Sequence, residues 1–338
     1  MKIYYTGQVG GPFGWGRFGE NVTAELDRRG VLARSPNDVD VVFSPLLNNN
    51  LDASTKLRGS INIGLTFFEL PLGPGAVENA KKYDVVFCGS TWCLERMQEI
   101  GITNGRVLIQ GVDTDVFKPV ERKPDGQFRI FSGGKFEYRK GQDLVIAAFK
   151  EFAKVHPEAH LVCSWFNPWA DLFHSMQESK HIKYLMGSLL AGRFGDQEEY
   201  FSAVLEQNGV SPNQFTVLAP MEHADLAREM ANTDCGVFPN RCEGGTNLVM
   251  MEYAACGGKV IANTLTGHAD VKGLIDYPLA ATEDQIRWAE QTVDNIKMWL
   301  DIAYLDGVSV AKQPKHIPTW QECVDTITLA ITEIMDKE

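Results

Sequence analysis

The sequence predicts an α/β protein made of two doubly wound, parallel-sheet domains joined by a polar linker. Three observations carry that expectation. Short apolar runs of strand length alternate with stretches of helical period along the chain. The alternation breaks at DTDVFKPVERKPDGQ, which is charged and holds Pro119 and Pro124. The chain, at 338 residues, is also longer than one hydrophobic core ordinarily organises.

In the first half, IYYT, VDVVFSP, INIGLT, DVVFC and RVLIQ read as strands, with FGENVTAELDRRG and TWCLERMQEIG as helices ending at Gly30 and Gly101. Runs that are apolar throughout fit a parallel sheet covered on both faces. Past the linker, FRIFSGG opens a second series. DLVIAAFKEFAKV sets Leu144, Ala148, Phe149 and Phe152 along one helical face, and HLVCSWF, FTVLAP, CGVFP and KVIAN follow as strands. The stretch between Asn167 and Asn208 is longer than a usual βα connection and should hold helices of its own. PTWQECVDTITLAITEIM ends the chain with Trp320, Val324, Ile327, Ile331 and Ile334 at helical spacing.

Composition narrows the function classes. Residues are 44% hydrophobic, 22% charged and 10% aromatic, the balance of a soluble globular protein. A net charge of −12 argues against a general nucleic-acid binder, because phosphate neutralisation needs clustered Lys and Arg. The seven cysteines are odd in number and form no CxxC pair, which points to reduced core thiols in a cytoplasm. MKIYYTG lacks a signal-peptide core, and no run approaches the ~20 apolar residues of a spanning helix. Peripheral contact with a membrane stays open.

Two α/β domains place a ligand where the carboxyl ends of strands meet loops and helix N-termini. Each half offers such a loop. GQVGGPFGWGRFGE, with Gly14, Trp15 and Gly16, follows the first strand; it suits close backbone approach to a ligand or simply tight packing. It does not meet the dinucleotide fingerprint, and Val31-Leu32-Ala33-Arg34 lacks the ribose-binding acid. SGGKFEYRKGQD follows a strand of the second half and gathers Gly134, Lys135, Arg139 and Lys140: a solvated charge cluster, or a diphosphate clamp in an otherwise acidic protein. NRCEGGTNLVMMEYAACGGKVIAN sets Glu243 before a Gly-Gly-Thr-Asn turn and Glu252 within the helix expected from about Leu248. Its first amides would meet phosphate while the carboxylates hold hydroxyls. The plainer alternative makes Glu243 a helix cap and Glu252 a surface residue.

The order RVLIQGVDTDVFKP, GGKFEYRKGQDLVIAAF, FTVLAP and CEGGTNLVMMEYAACGGKVIAN resembles a retaining GT-B glycosyltransferase of the glycogen-synthase-like class called family 4, over nearly the whole chain. The resemblance implies a GT-B fold: an acceptor-side domain at 1–120, joined by a returning C-terminal helix at 319–338, and a nucleotide-sugar domain at 121–318. It implies that Lys135 and Lys140 neutralise the donor diphosphate and that Glu252 binds the ribose. Amides near Leu248 and Val249 would meet the distal phosphate, together with Gly245, Thr246 and Asn247, and Ala219 to Met221 would lie by the base. Glu243 matches the sugar-binding, catalytic glutamate, but nine positions separate it from Glu252 where eight are usual, and Lys135 stands where arginine is usual. On the acceptor side GLTFFELP has no histidine and presents Glu69, either to orient the acceptor hydroxyl or to cap the next segment.

The implied chemistry is transfer of a hexose from a nucleotide-diphosphate sugar, UDP-hexose before GDP-mannose, to a glycan, lipid-linked or small-molecule acceptor, with retention. Amides and cations meet the charge developing on the leaving diphosphate, and the acceptor attacks from the leaving-group face without an obligatory enzyme nucleophile. No cofactor or metal is implied. Asp38-Val39-Asp40 and Asp113-Thr114-Asp115 spell DxD, but one enters a strand and the other lies in the linker turn. His223 and His268 lie near expected cleft loops without metal-ligand spacing, and Trp165, Asn167 and Trp169 either border the donor or pack. The competing classes are a dinucleotide-dependent oxidoreductase and a non-catalytic nucleotide-sugar or polysaccharide-binding protein.

Overall fold

The computed structural model describes residues 1–11, 14–37, 39–120, 125–167, 169, 173–184, 196–307 and 315–337. Pro12, Phe13, Asp38, Pro124 and part of the stretch between Asn167 and Asn208 lie outside the described residues. The chain divides into two compact units: Met1–Asp113, Glu243–Leu248 and Pro318–Glu338 form one, and Thr114–Cys242 with Val249–Ile317 the other.

The first unit contains β1 (Ile3–Tyr5), α1 (Gly14–Arg28), β2 (Val41–Leu47), β3 (Asp52–Ala53), β4 (Ile61–Thr66), α2 (Ala76–Ala80), β5 (Val85–Cys88), α3 (Thr91–Glu99) and β6 (Gly105–Val107). Its sheet runs β1-β2-β4-β5-β6 in parallel, with β3 antiparallel on β2. On the free side of β1, Ile3 N donates to Val31 O at 2.8 Å and Ala33 N to Ile3 O at 2.8 Å. The order of strands therefore reverses at β1, with 31–33 on one side and β2 on the other, and the glycine-rich loop leaves from that switch point. Phe18, Val22 and Leu26, spaced one turn apart on α1, are fully buried. Gly30 and Gly101 follow α1 and α3 with φ of 69° and 91°, left-handed stops of the kind glycine adopts without strain.

The second unit contains β7 (Phe128–Gly134), α4 (Gln142–Ala153), β8 (Ala159–Trp165), α5 (Gln197–Gln207), β9 (Phe215–Val217), α6 (His223–Ala231), β10 (Cys235–Phe238), α7 (Leu248–Ala255, its first residue grouped with the first unit), β11 (Lys259–Asn263), β12 (Tyr277–Leu279) and α8 (Val293–Leu305). The parallel order β12-β11-β10-β7-β8-β9 reverses between β7 and β10. Leu144, Ala148, Phe149 and Phe152 of α4 pack with Ile130, Leu161, Cys163 and α8's Ile296 and Leu300 in one core. Helix α8, which is not among the elements expected from the sequence, carries Ile296, Leu300 and Ala303 at helical spacing, all buried.

The last helix, α9 (Trp320–Met335), starts at a capping box in which Thr319 and Glu322 satisfy each other's backbone amides. It packs in the first unit. Val324, Ile327 and Ile331 are fully buried, the Trp320 ring lies 6.0 Å from Phe18, Arg29 pairs with Asp325 at 2.7 Å, and Val112 N donates to Pro318 O at 2.9 Å. All seven cysteines are buried free thiols. Among the described residues no helix is long and apolar enough to cross a membrane.

Candidate functional site

In an open α/β sheet the crevice for a ligand opens where the strand order reverses, outside the carboxyl ends. In the second unit that point lies between β7 and β10, so the segments leaving those strands, 135–141 and 239–242, define the candidate site.

The first segment is rigidly held. Gly141 closes it with φ of 74°, and a Cβ there would lie 2.2 Å from Pro239 O, so only glycine fits between the two segments. Gln142 Nε2 donates to Lys135 O at 2.7 Å, Asn167 Nδ2 to Phe136 O at 3.2 Å, and Tyr138 N to Ser175 Oγ at 3.0 Å. Out of this frame come Lys135, Arg139 and Lys140, all half-buried. Lys135 Nζ and Arg139 Nη2 both approach Glu137 Oε1, at 3.1 and 2.9 Å. Lys135 Nζ also lies 5.2 Å from the ring centre of Trp169, which is exposed. A solvated cluster of independent charges is therefore not what forms: Lys135 and Arg139 are anchored side by side on a buried acid.

The second segment is clasped to the first. Arg241 N donates to Arg139 O at 2.7 Å, and Arg139 Nη1 donates to Cys242 O at 3.2 Å. The Arg241 guanidinium makes a bidentate pair with Asp143 (2.9 Å each), donates to Tyr138 O at 2.6 Å, and stacks 3.7 Å above the Tyr138 ring. Side chains of this pair are at most 1% exposed. Burial works against the guanidinium's charge, yet the Asp143 bonds outweigh it and its pKa is raised.

Helix α7 begins at Leu248, as the sequence predicts, and Val249 packs over Gly133 at the end of β7. Glu252 is buried, only 7% exposed, on a helix whose Met250, Met251 and Tyr253 are core. This corrects the surface alternative. The capping alternative for Glu243 fails as well, because four residues separate it from α7 and the last of them, Asn247, has φ of 60°. Ala219 is exposed and Met221 half-buried past the edge strand β9, with β8 between β9 and β7.

A further group of sequence-selected residues belongs to the first unit. Gly16 is a packing glycine: a Cβ would lie 1.9 Å from Gly10 O, and Gly10 N donates to Gly16 O at 2.9 Å. Gly14 is open, whereas Trp15 stands edge-on to Phe67 at 5.0 Å. Glu69 is half-buried just beyond β4. Glu243, Gly245, Thr246 and Asn247 are buried and Leu248 is partly so. The carbonyl of Gly244 accepts from Ser90 Oγ at 2.9 Å and Cys93 Sγ at 3.1 Å, which ties this turn to the start of α3.

Trp165 packs: its indole donates to Ser132 Oγ at 3.0 Å among Phe136 and Phe201. Asn167 serves the basic loop, His223 lies ring-on-edge to Phe117, and His268 is buried with Nδ1 3.2 Å from Asn263 O. Asp40 receives the Lys2 amide at 2.7 Å. Among the described residues no three His, Cys, Asp or Glu side chains group to hold a metal. The reading from sequence missed Glu137 and the Asp143–Arg241 pair. Glu137 had a local signal, an acid between cations in KFEYRK; the pair spans 98 positions and had none.

Residues 181–297, about a third of the chain, match the family Glycosyl transferases group 1. No curated protein matches the sequence. Among solved structures the chain is similar to HepE from Anabaena in complex with UDP-glucose, with a TM-score of 0.62 and 14% identity over 100% of both chains. It is also similar to sucrose-phosphate synthase from Thermosynechococcus elongatus (0.62, 14%, over 93% of this chain and 76% of that one). A third likeness is to an α,α-trehalose-phosphate synthase (UDP-forming) from Burkholderia vietnamiensis (0.54, 15%, over 93% and 78%). The two parallel sheets and these likenesses show a fold of GT-B type, and within it residues 181–297 carry the match to the group 1 glycosyl transferases.

Proposed function

We propose that the protein transfers a hexose from a nucleotide-diphosphate sugar to an acceptor hydroxyl in glycan or polysaccharide synthesis. UDP-hexose, with UDP-glucose as the first example, is favoured over GDP-mannose. One observation carries the reading: Lys135, Arg139 and Lys140 leave the switch point of the second sheet on a loop pinned at both ends, beside the first turn of α7. Such a loop supplies fixed positive charge and helix amides where a diphosphate would leave, at no reorganisation cost. The UDP-glucose bound in HepE and the UDP-forming activity of the trehalose-phosphate synthase favour a uridine donor. In this reading Lys135 and Lys140 neutralise the diphosphate, Leu248 and Val249 offer amides, Glu252 takes the ribose and Glu243 the sugar hydroxyls. Ala219 to Met221 border the base. The acceptor is a glycan, a lipid-linked or a small-molecule hydroxyl.

Thermal shift against a panel of nucleotide-sugars, followed by nucleotide release with and without acceptors, tests the reading. Stabilisation by no nucleotide-sugar would end it. Lys140→Ala should weaken nucleoside-diphosphate binding by roughly 1.5–3 kcal/mol, the scale of hydrogen bonds to charged groups. Unchanged affinity in calorimetry, with the melting curve intact, would remove Lys140 from the site. Transfer should also persist in EDTA, because cations and amides of the chain supply the positive potential. Complete loss on chelation with rescue by Mg²⁺ or Mn²⁺ would refute this.

A further inference from the structure

The cations of the basic loop are opposed from within it. Glu137 turns a side chain that is only 7% exposed between Lys135 and Arg139, whose side chains are 31% and 12% exposed. One oxygen, Oε1, meets both cations, at 3.1 and 2.9 Å, and makes no aligned hydrogen bond. The contact is thus one of charge more than of direction. A buried carboxylate is costly unless opposite charge surrounds it. The same carboxylate lowers the positive potential that the loop presents outward.

We infer that Glu137 is a built-in counter-anion of the diphosphate site: it holds Lys135 and Arg139 together when no nucleotide is bound, and competes with the diphosphate for them. The inference rests on the donor reading above. Two cations and a helix start with no internal anion would hold a nucleoside diphosphate tightly after transfer. A fixed carboxylate weakens that hold and so favours product release. Glu137 is a positioning and charge-setting residue, acting through its two neighbours.

The sign of one substitution separates this role from plain support of the fold. Glu137→Gln keeps the shape and an acceptor oxygen but removes the charge. At fixed ionic strength it should bind UDP, GDP and inorganic pyrophosphate about three- to tenfold more tightly than the wild type, the size expected for one charge acting over several ångströms near a protein surface. The affinity should also fall more steeply with added salt. Glu137→Ala, which loses both charge and position, should bind more weakly than the glutamine variant. Glu137→Asp, with the charge kept but drawn back, should lie between wild type and glutamine, and serves if the glutamine variant does not fold. Equal or weaker binding by natively melting Glu137→Gln would overturn the inference. If the wild type binds pyrophosphate but no nucleoside diphosphate, the donor reading falls, while the pyrophosphate constants still decide the role of Glu137.

Discussion

Deleting residues from Pro318 onward should cost the first unit most of its stability and leave the second nearly unchanged. Helix α9 buries Trp320, Val324, Ile327 and Ile331 in the first unit's core, next to Phe18, Val22 and Leu26 of α1. At about 1.5–3 kcal/mol per buried side chain, the gross loss is roughly 6–12 kcal/mol. That matches the whole stability of an ordinary domain. The deletion also removes Asp325, which pairs with Arg29, and Glu333, which pairs with Arg106 at 2.6 Å; these exposed ion pairs add little. Calorimetry should show one transition moved far down or lost, and a dye for exposed apolar surface should bind the truncated chain. A truncated protein with an unchanged melting profile would show that α9 does not complete this core.

Arg241→Met should destabilise the second unit by about 3–5 kcal/mol, because Asp143 is left as an uncompensated buried charge. Both side chains are at most 1% exposed, so water cannot take over the role of the guanidinium. Arg241→Met/Asp143→Leu should recover most of that loss, since removing both charges also removes the desolvation penalty. The recovered variant is the informative one for function. It keeps a packed core but lacks the guanidinium that holds Tyr138 O and stacks on the Tyr138 ring beside Arg139, so its diphosphate affinity should stay reduced. Denaturant unfolding followed by fluorescence measures the first effect, with each unit's transition fitted separately. A single variant as stable as the wild type would mean that Asp143 finds another partner.

Much of the fold was legible because hydrophobic periodicity is a local property. FRIFSGG became β7 residue for residue, and the helix after Asn247 starts where the glycine turn ends. Glycine stops after α1 and α3 were readable for the same reason, since chain reversal there depends on one residue's φ. The candidate site was legible as a list of residue types: the cations after β7 and the two glutamates around α7.

By itself the sequence determined the two α/β halves, their strand and helix periods, and the loops where charge gathers, because spacing along a chain decides these. Only the tertiary structure decided which charges meet. Glu252 is buried because α7 is packed on all sides, which no charge on its own reveals. Lys135 and Arg139 converge on Glu137 only because Gln142, Asn167 and Ser175 fix the loop around them. Asp143 finds Arg241 across 98 positions, Gly244 finds Ser90 across 154, and α9 finds α1 from the opposite end of the chain. Such pairings follow from closing long loops around a packed core, and their free energy lies in burial and desolvation, quantities that exist only once the chain has folded.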